Sequence, residues 1–324
     1  MSENGFYWKK IEENGISMIL LGYVGEAHSL KAQVAPAYGS NLCRFTVCGR
    51  NVIDYDSELL IGHDYTGTPV LYPTPNRVRN GMFRWKGRVY NQQKRGEPVF
   101  EHGLVHDEAW QYGEPASGPD SVSFPTWIDF DEGSPLFEAF PFQHRLSLVF
   151  TLTRDGVEAA YAIENKSDME IPFGFGLHPY FMKLSGDDGT TLTLPAKYVM
   201  DYTADLLPTG RLIETAGTVY DLGNAVCTGS LDLDHVFTGI PQGSAAHIDY
   251  TMLGFSVHLK ASADFTHLVV YSPRGKGFFC VENQTCSTDA HNLHERGFAA
   301  ESGLKFVQAG TTHSGSVKYQ LEWR

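Results

Sequence analysis

Residues 146–153 read Leu-Ser-Leu-Val-Phe-Thr-Leu-Thr, and after Arg154 comes Asp155-Gly156. Alternation of apolar and polar side chains is the mark of a half-buried strand. An Asp-Gly pair between two such runs is the strongest short-range signal for a tight hairpin. Residues 157–164 supply the returning strand, Asn165-Lys-Ser-Asp168 a second turn, and residues 171–181 a third strand that delivers His178 near its end. The pattern recurs at 255–261 and 267–271, through a Gly/Pro turn cluster at 272–277, then at 278–282 and in a closing strand at 314–323. A chain built from such runs has to bury one face of a sheet against another sheet.

Helical signals are few: residues 289–296 with Thr288 as a cap, and more weakly 54–61. The polar loops at 112–123 and 185–190 are too short and too mixed to link domains. Length alone, 324 residues, suggests two domains, but all-β chains often exceed 200 residues as one. Hydrophobic residues make up 42% of the chain and charged residues 19%, enough apolar material for a large core and too little charge for disorder. The expected fold is therefore all-β: one large antiparallel β-sandwich domain over residues 1–324, with few short helices.

A net charge of −13 argues against a nucleic-acid partner. The one local basic patch, Arg77, Arg79, Arg84, Lys86 and Arg88, reads as the solvated edge of a strand pair, with one or two members free to meet a substrate. No secretory leader is expected from the residues at the start of the chain, and the apolar run 16–23 is too short to span a membrane. The five cysteines, Cys43, Cys48, Cys227, Cys280 and Cys286, form no C-x-x-C pair. Free thiols in a reducing cytoplasm are the expected state.

Several residues can carry chemistry. His178 sits between Leu177 and Pro179, and its pKa range suits proton transfer near neutral pH. Glu282 lies within Phe278-Phe-Cys-Val-Glu-Asn283, where an unpartnered charge is costly to bury. His102 is followed by Gly103, which permits a tight turn or close approach to a ligand. His102 and His106 have i, i+4 spacing, but Gly103 argues against the helix that metal binding would need. Asn76-Arg77 follows Tyr72-Pro-Thr-Pro75, whose prolines hold the chain extended and present a fork of donors. Asp232 and Asp234 alternate onto one face of Leu231-Asp-Leu-Asp-His-Val-Phe237. Each of these has a plain structural reading as well: core histidine, strand-end carboxylate, surface charge.

Taken in order, Asn76-Arg77, His102-Gly103, His178-Pro-Tyr-Phe181, Asp234-His-Val-Phe237, Val281-Glu-Asn-Gln-Thr285 and the trailing Asp289-Ala-His-Asn292 resemble the aldose 1-epimerase (galactose mutarotase) family. The resemblance covers about residues 70–295. It implies a sandwich enzyme that interconverts the α and β anomers of a free aldose, with no metal and no organic cofactor. Carried over motif by motif, Glu282 would be the general base on the anomeric hydroxyl and His178 the general acid on the ring oxygen, the first ionised and the second protonated. Asn76, Arg77, His102 and Asp234 would hold substrate hydroxyls. The partner would be a small sugar; nothing in the chain speaks to its oligomeric state. Pro-Thr-Pro75 before Asn-Arg, a single glycine after His102, and Pro179 where a serine is common point to a divergent branch.

Three alternatives stand beside this reading. A hexose-6-phosphate 1-epimerase would need extra cations, for which Arg79, Arg84 and Arg274 are candidates. A non-catalytic carbohydrate-binding sandwich would have no need of both His178 and Glu282. A glycoside hydrolase would pair Glu282 with Asp234 and leave the His-Pro-Tyr-Phe segment unexplained.

Overall fold

The computed structural model describes residues 5–324. About 50% of the chain is strand and 9% helix, so helices form no layer of their own. Among the described residues, strands assemble mainly into a thirteen-stranded and a ten-stranded sheet, with the named pairings antiparallel. One apolar cluster draws on both, from Leu21, Val34 and Phe45 of the larger to Phe124, Leu148 and Phe150 of the smaller. This is an antiparallel β-sandwich, as the strand pattern requires.

The hairpin at Asp155-Gly156 forms as expected. His144–Thr153 pairs with Gly156–Asn165 in register from His144 and Asn165 to Thr153 and Gly156. Burial alternates along the first of these strands, so one face lies on the core and the other faces solvent.

The third strand of the expected meander does not form. Residues 171–181 break into Ile171–Phe173, Gly176–Leu177 and Tyr180–Met182, and the neighbour of Gly156–Asn165 is instead Thr312–Trp323. Pro172 and Pro179 have no N–H for a continuous ladder. Ile171–Phe173 pairs with Lys305–Val307, while the other two pieces join the thirteen-stranded sheet against Phe278–Gln284. Likewise Phe255–Ala261 and His267–Ser272, adjacent in sequence, lie in different sheets.

Both expected helices exist but start later. Ser57–Ile61 is capped by Asp56, whose carboxylate accepts the N–H groups of Glu58 and Leu59 at 2.8 and 3.1 Å. Ala290–Glu295 begins at Asp289, which is left-handed at φ 53° and makes no side-chain cap, so Thr288 is not the cap. The hairpin Met82–Trp85 and Arg88–Asn91 leaves Arg84 and Arg88 exposed, the solvated strand pair that the basic patch suggested.

Phe278–Gln284 is buried almost throughout rather than in alternation. Its Phe279 and Val281 belong to the sandwich core. The face carrying Glu282 is covered by irregular chain from the first third of the molecule and by the break at His178–Tyr180. That cover makes the site.

Candidate active site

Cross-strand neighbours share a face, as do residues two apart along one strand. Asp234 sits opposite Tyr271, Tyr271 opposite Cys280, and Cys280 opposite Tyr180. In the next row Val236 faces Val269 and Val269 faces Glu282. These rows form the floor of a cleft of about 280 Å³. Small-molecule clefts typically occupy about 300–1,000 Å³, so this one suits a ligand of one ring.

The walls come from three stretches of chain. Residues 72–78 and 100–104 run together, with His102 N–H donating to the Asn76 carbonyl at 2.9 Å and Val78 N–H to that of Phe100 at 2.7 Å. Asn76 and His102 both adopt φ 61°, a left-handed conformation uncommon for residues with a Cβ. Such strain gathers where side chains are aimed at a ligand. A Cβ on Gly103 would lie 2.2 Å from the Tyr72 carbonyl oxygen, so only glycine permits this approach.

Asp289 clamps the wall from beneath. Its N–H donates to the Arg77 carbonyl at 2.8 Å, and its fully buried carboxylate accepts from Arg79 N–H at 3.0 Å and Asn292 Nδ2 at 2.7 Å. The third wall is the break at His178. There His178 N–H donates to the Pro69 carbonyl and Tyr180 N–H to that of Gly67, while Pro179 between them has no hydrogen to offer.

At the foot of the cleft His178 Nε2 lies 3.3 Å from Glu282 Oε1. The imidazole is flanked by two nearly parallel phenol rings, Tyr180 at 4.9 Å and Tyr65 at 6.3 Å. Gln284 Nε2 donates to Glu282 Oε2 at 3.0 Å. Burial pushes the Glu282 carboxyl well above its ordinary range; Asp234 and Glu101 add to this, against Gln284 and Arg77. Burial, with a smaller push from His106, lowers His178 to about 4. Both shifts act against ionised glutamate beside protonated histidine. At Glu282 desolvation outweighs Gln284 and Arg77, so burial favours the uncharged form of both members of the pair.

His102 stands edge-on to His178, ring centroids 5.3 Å apart. Its Nδ1 accepts the Asn76 N–H at 3.3 Å, which puts its own hydrogen on Nε2. Burial lowers its pKa well below the usual value, with His178, His106 and Arg77 adding to the effect. Arg77 Nη2 lies 3.4 Å from Asp234 Oδ2 and 3.6 Å from Glu101 Oε1.

A model of the aldose 1-epimerase family matches residues 24–320. The chain belongs to that family. Escherichia coli YihR, an uncharacterized protein, is 28% identical over 69% of this chain and 71% of its own length. A galactose mutarotase-like protein from Clostridium acetobutylicum has the same fold at TM-score 0.84, with 19% identity over 99% of both chains. Galactose 1-epimerase from Lactobacillus acidophilus superposes at 0.75, with 17% identity over 99% of both.

All six residues singled out from this epimerase-family sequence, Asn76, Arg77, His102, His178, Asp234 and Glu282, line the one cleft. Asp232 does not; it is exposed and pairs with Arg274 at 2.8 Å. His102 and His106 are not on a helix, and both rings face Tyr65. Among the described residues no group of three or more His, Cys, Asp or Glu side chains is arranged to hold a metal ion. Tyr65, Glu101, Tyr180 and Tyr271 also line the cleft and were given no role from sequence. Glu101 adjoins a marked motif, just before His102, and Tyr180 lies inside the motif His178–Phe181; Tyr65 carries no local signal.

Proposed function

We propose that the protein is an aldose 1-epimerase that opens and recloses the ring of a free aldose, with Glu282 and His178 as its proton-transfer pair. The observation that carries this reading is their 3.3 Å contact at the foot of a one-ring cleft. Opening a pyranose removes the proton from O1 and delivers one to the ring oxygen. Both oxygens are bonded to C1, so base and acid need to be neighbours rather than to face each other across the acetal.

The proton shared by the pair supplies both roles. When it passes from Glu282 to His178, the carboxylate accepts the O1 proton and the imidazolium gives its own to the ring oxygen. The C1–ring oxygen bond breaks, and Glu282 is left protonated and His178 neutral, the protonation that burial favours. Rotation about C1–C2 and the reverse transfers close the other anomer, and nothing is consumed. The His102 Nε2–H, the Arg77 fork, the Asn76 amide and the Asp234 carboxylate hold hydroxyl groups meanwhile.

Polarimetry on freshly dissolved α-glucose and α-galactose tests this. Protein is expected to speed the approach to anomeric equilibrium, and Glu282→Gln to remove the acceleration. If no aldose in a broad panel responds while sugars still bind, the carbohydrate-binding alternative takes its place.

A further inference from the structure

We infer that Glu101 makes the cleft selective by charge, admitting uncharged aldoses and aldoses bearing an amino group while turning away those bearing a phosphate or carboxylate. This rests on the reading of the cleft as an aldose site. Glu101 is on the wall, 36% exposed, with Oε1 at 3.6 Å from Arg77 Nη2 and 3.5 Å from His102 Nε2. Asp234 reaches the same guanidinium nitrogen from the floor at 3.4 Å. Among the described residues lining the cleft, Arg77 is the one lysine or arginine, and it stands between two carboxylates.

The cations that a phosphate would need lie elsewhere. Arg79 faces Asp289, Arg274 faces Asp232, and Arg84 is on the solvent side of the strand Met82–Trp85; none lines the cleft. His102 and His178, held neutral by burial, add no positive charge. An anion seeking Arg77 has to displace Glu101 or accept it as a neighbour. A hydroxyl needs only one of the guanidinium hydrogens, and an ammonium gains two acceptors.

Equilibrium binding of glucose, glucosamine, glucose-6-phosphate and glucuronate to the wild-type chain, to Glu101→Gln and to Glu101→Asp tests the inference independently of turnover. The wild type is expected to bind glucose and glucosamine at least about tenfold more tightly than either anion, the effect of one unit charge several Å away in a half-solvated cleft. Glu101→Gln keeps the shape of the wall and is expected to close that gap about tenfold, while Glu101→Asp keeps most of it. Added salt is expected to narrow the gap in the wild type more than in the glutamine variant.

Glucose-6-phosphate binding as tightly as glucose, or a gap that Glu101→Gln leaves unmoved, overturns the inference. Selective binding without anomerisation overturns the epimerase reading alone. Failure of all four sugars to bind overturns both.

Discussion

Arg44 and Arg77 each stand between two carboxylates and are held in different ways. On the strand Asn41–Val47, Arg44 donates from Nε to Asp54 at 2.8 Å and from Nη1 to both Glu13 oxygens at 3.0 and 2.9 Å and to Gln33 at 3.0 Å. Its guanidinium lies over the Tyr55 ring. These are the lengths of strong charge-assisted bonds, and they stitch Glu13, Gln33 and Asp54 to one point. Arg77 approaches its carboxylates no closer than 3.4 Å, and its Nη1 reaches the Asn76 side chain only at 3.4 Å. A saturated arginine holds strands together. A loosely held one, on a wall with two left-handed side-chain-bearing residues, keeps donors available for a ligand.

The largest test of that contrast lies at the pair Arg77 overlooks. Glu282→Gln and His178→Asn are each expected to cut kcat by about 10²–10⁴-fold, the worth of one positioned proton transfer. Polarimetry under saturating sugar measures this, with thermal unfolding as the control for folding. A variant that keeps wild-type kcat removes its residue from the chemistry.

Next comes Arg77→Met, for which kcat/KM is expected to fall about 10–100-fold, as for the loss of hydrogen bonds from a charged group. Its melting temperature should hold, since no strand depends on that guanidinium. Arg44→Met should do the converse. It leaves Glu13 and Asp54 partly buried without a cation and costs about 1–3 kcal/mol of stability, below the loss for a fully buried pair because these groups are partly exposed. Anomerisation per folded molecule should not change. If Arg77→Met destabilises as much as Arg44→Met, the division between the two arginines fails.

The same contrast shows what was legible in the residues. Alternation and Asp155-Gly156 specify a hairpin locally, because the pleat and the turn are set by neighbours in sequence. They are silent on which sheet a later strand joins: residues 171–181 break at prolines, Ile171–Phe173 pairing with Lys305–Val307 while the pieces at 176–177 and 180–182 join the other sheet. The six motif residues could be read because each sits in a distinctive local run. Glu101 and Tyr65 could not: their roles depend on what lies across the cleft from them. The shifts of His178 and Glu282 toward their uncharged forms were not legible for a related reason. Sequence supplies charges, but the burial that neutralises them comes from distant chain covering the strand Phe278–Gln284.

These shifts set the expected pH profile of activity. The competent pair holds one proton. Acid adds a second to His178, lowered to about 4, in surroundings of His102, His106, Tyr65 and Tyr180. Alkali removes the one on Glu282, raised by burial beside Asp234, Glu101, Gln284 and Arg77. The rate is expected to be bell-shaped, each limb belonging to the pair and not to one residue, with the acid limb centred near pH 4 and the alkaline limb well above the usual carboxylate range. An acid limb centred near the ordinary histidine value, about 6.5, would overturn this order of titration.

A further expected effect is on stability and lies away from both arginines. His144, His267 and His291 are buried, and burial lowers each to about 4. Their ring nitrogens are engaged inside the fold: His144 with the Phe142 carbonyl and the Tyr72 hydroxyl, His267 with the Glu301 carbonyl, His291 with that of Pro172. The unfolded chain protonates them near 6.5, the folded chain only near 4. Their contribution is therefore complete above about pH 6.5 and is lost as pH falls toward 4, at up to about 1.4 kcal/mol per pH unit for each group. The melting temperature should decline through that window in the wild type and in Arg77→Met alike, and from a lower starting point in Arg44→Met. A melting temperature that stays level from neutral pH down to about pH 5 would mean that these imidazoles are not held neutral by the fold.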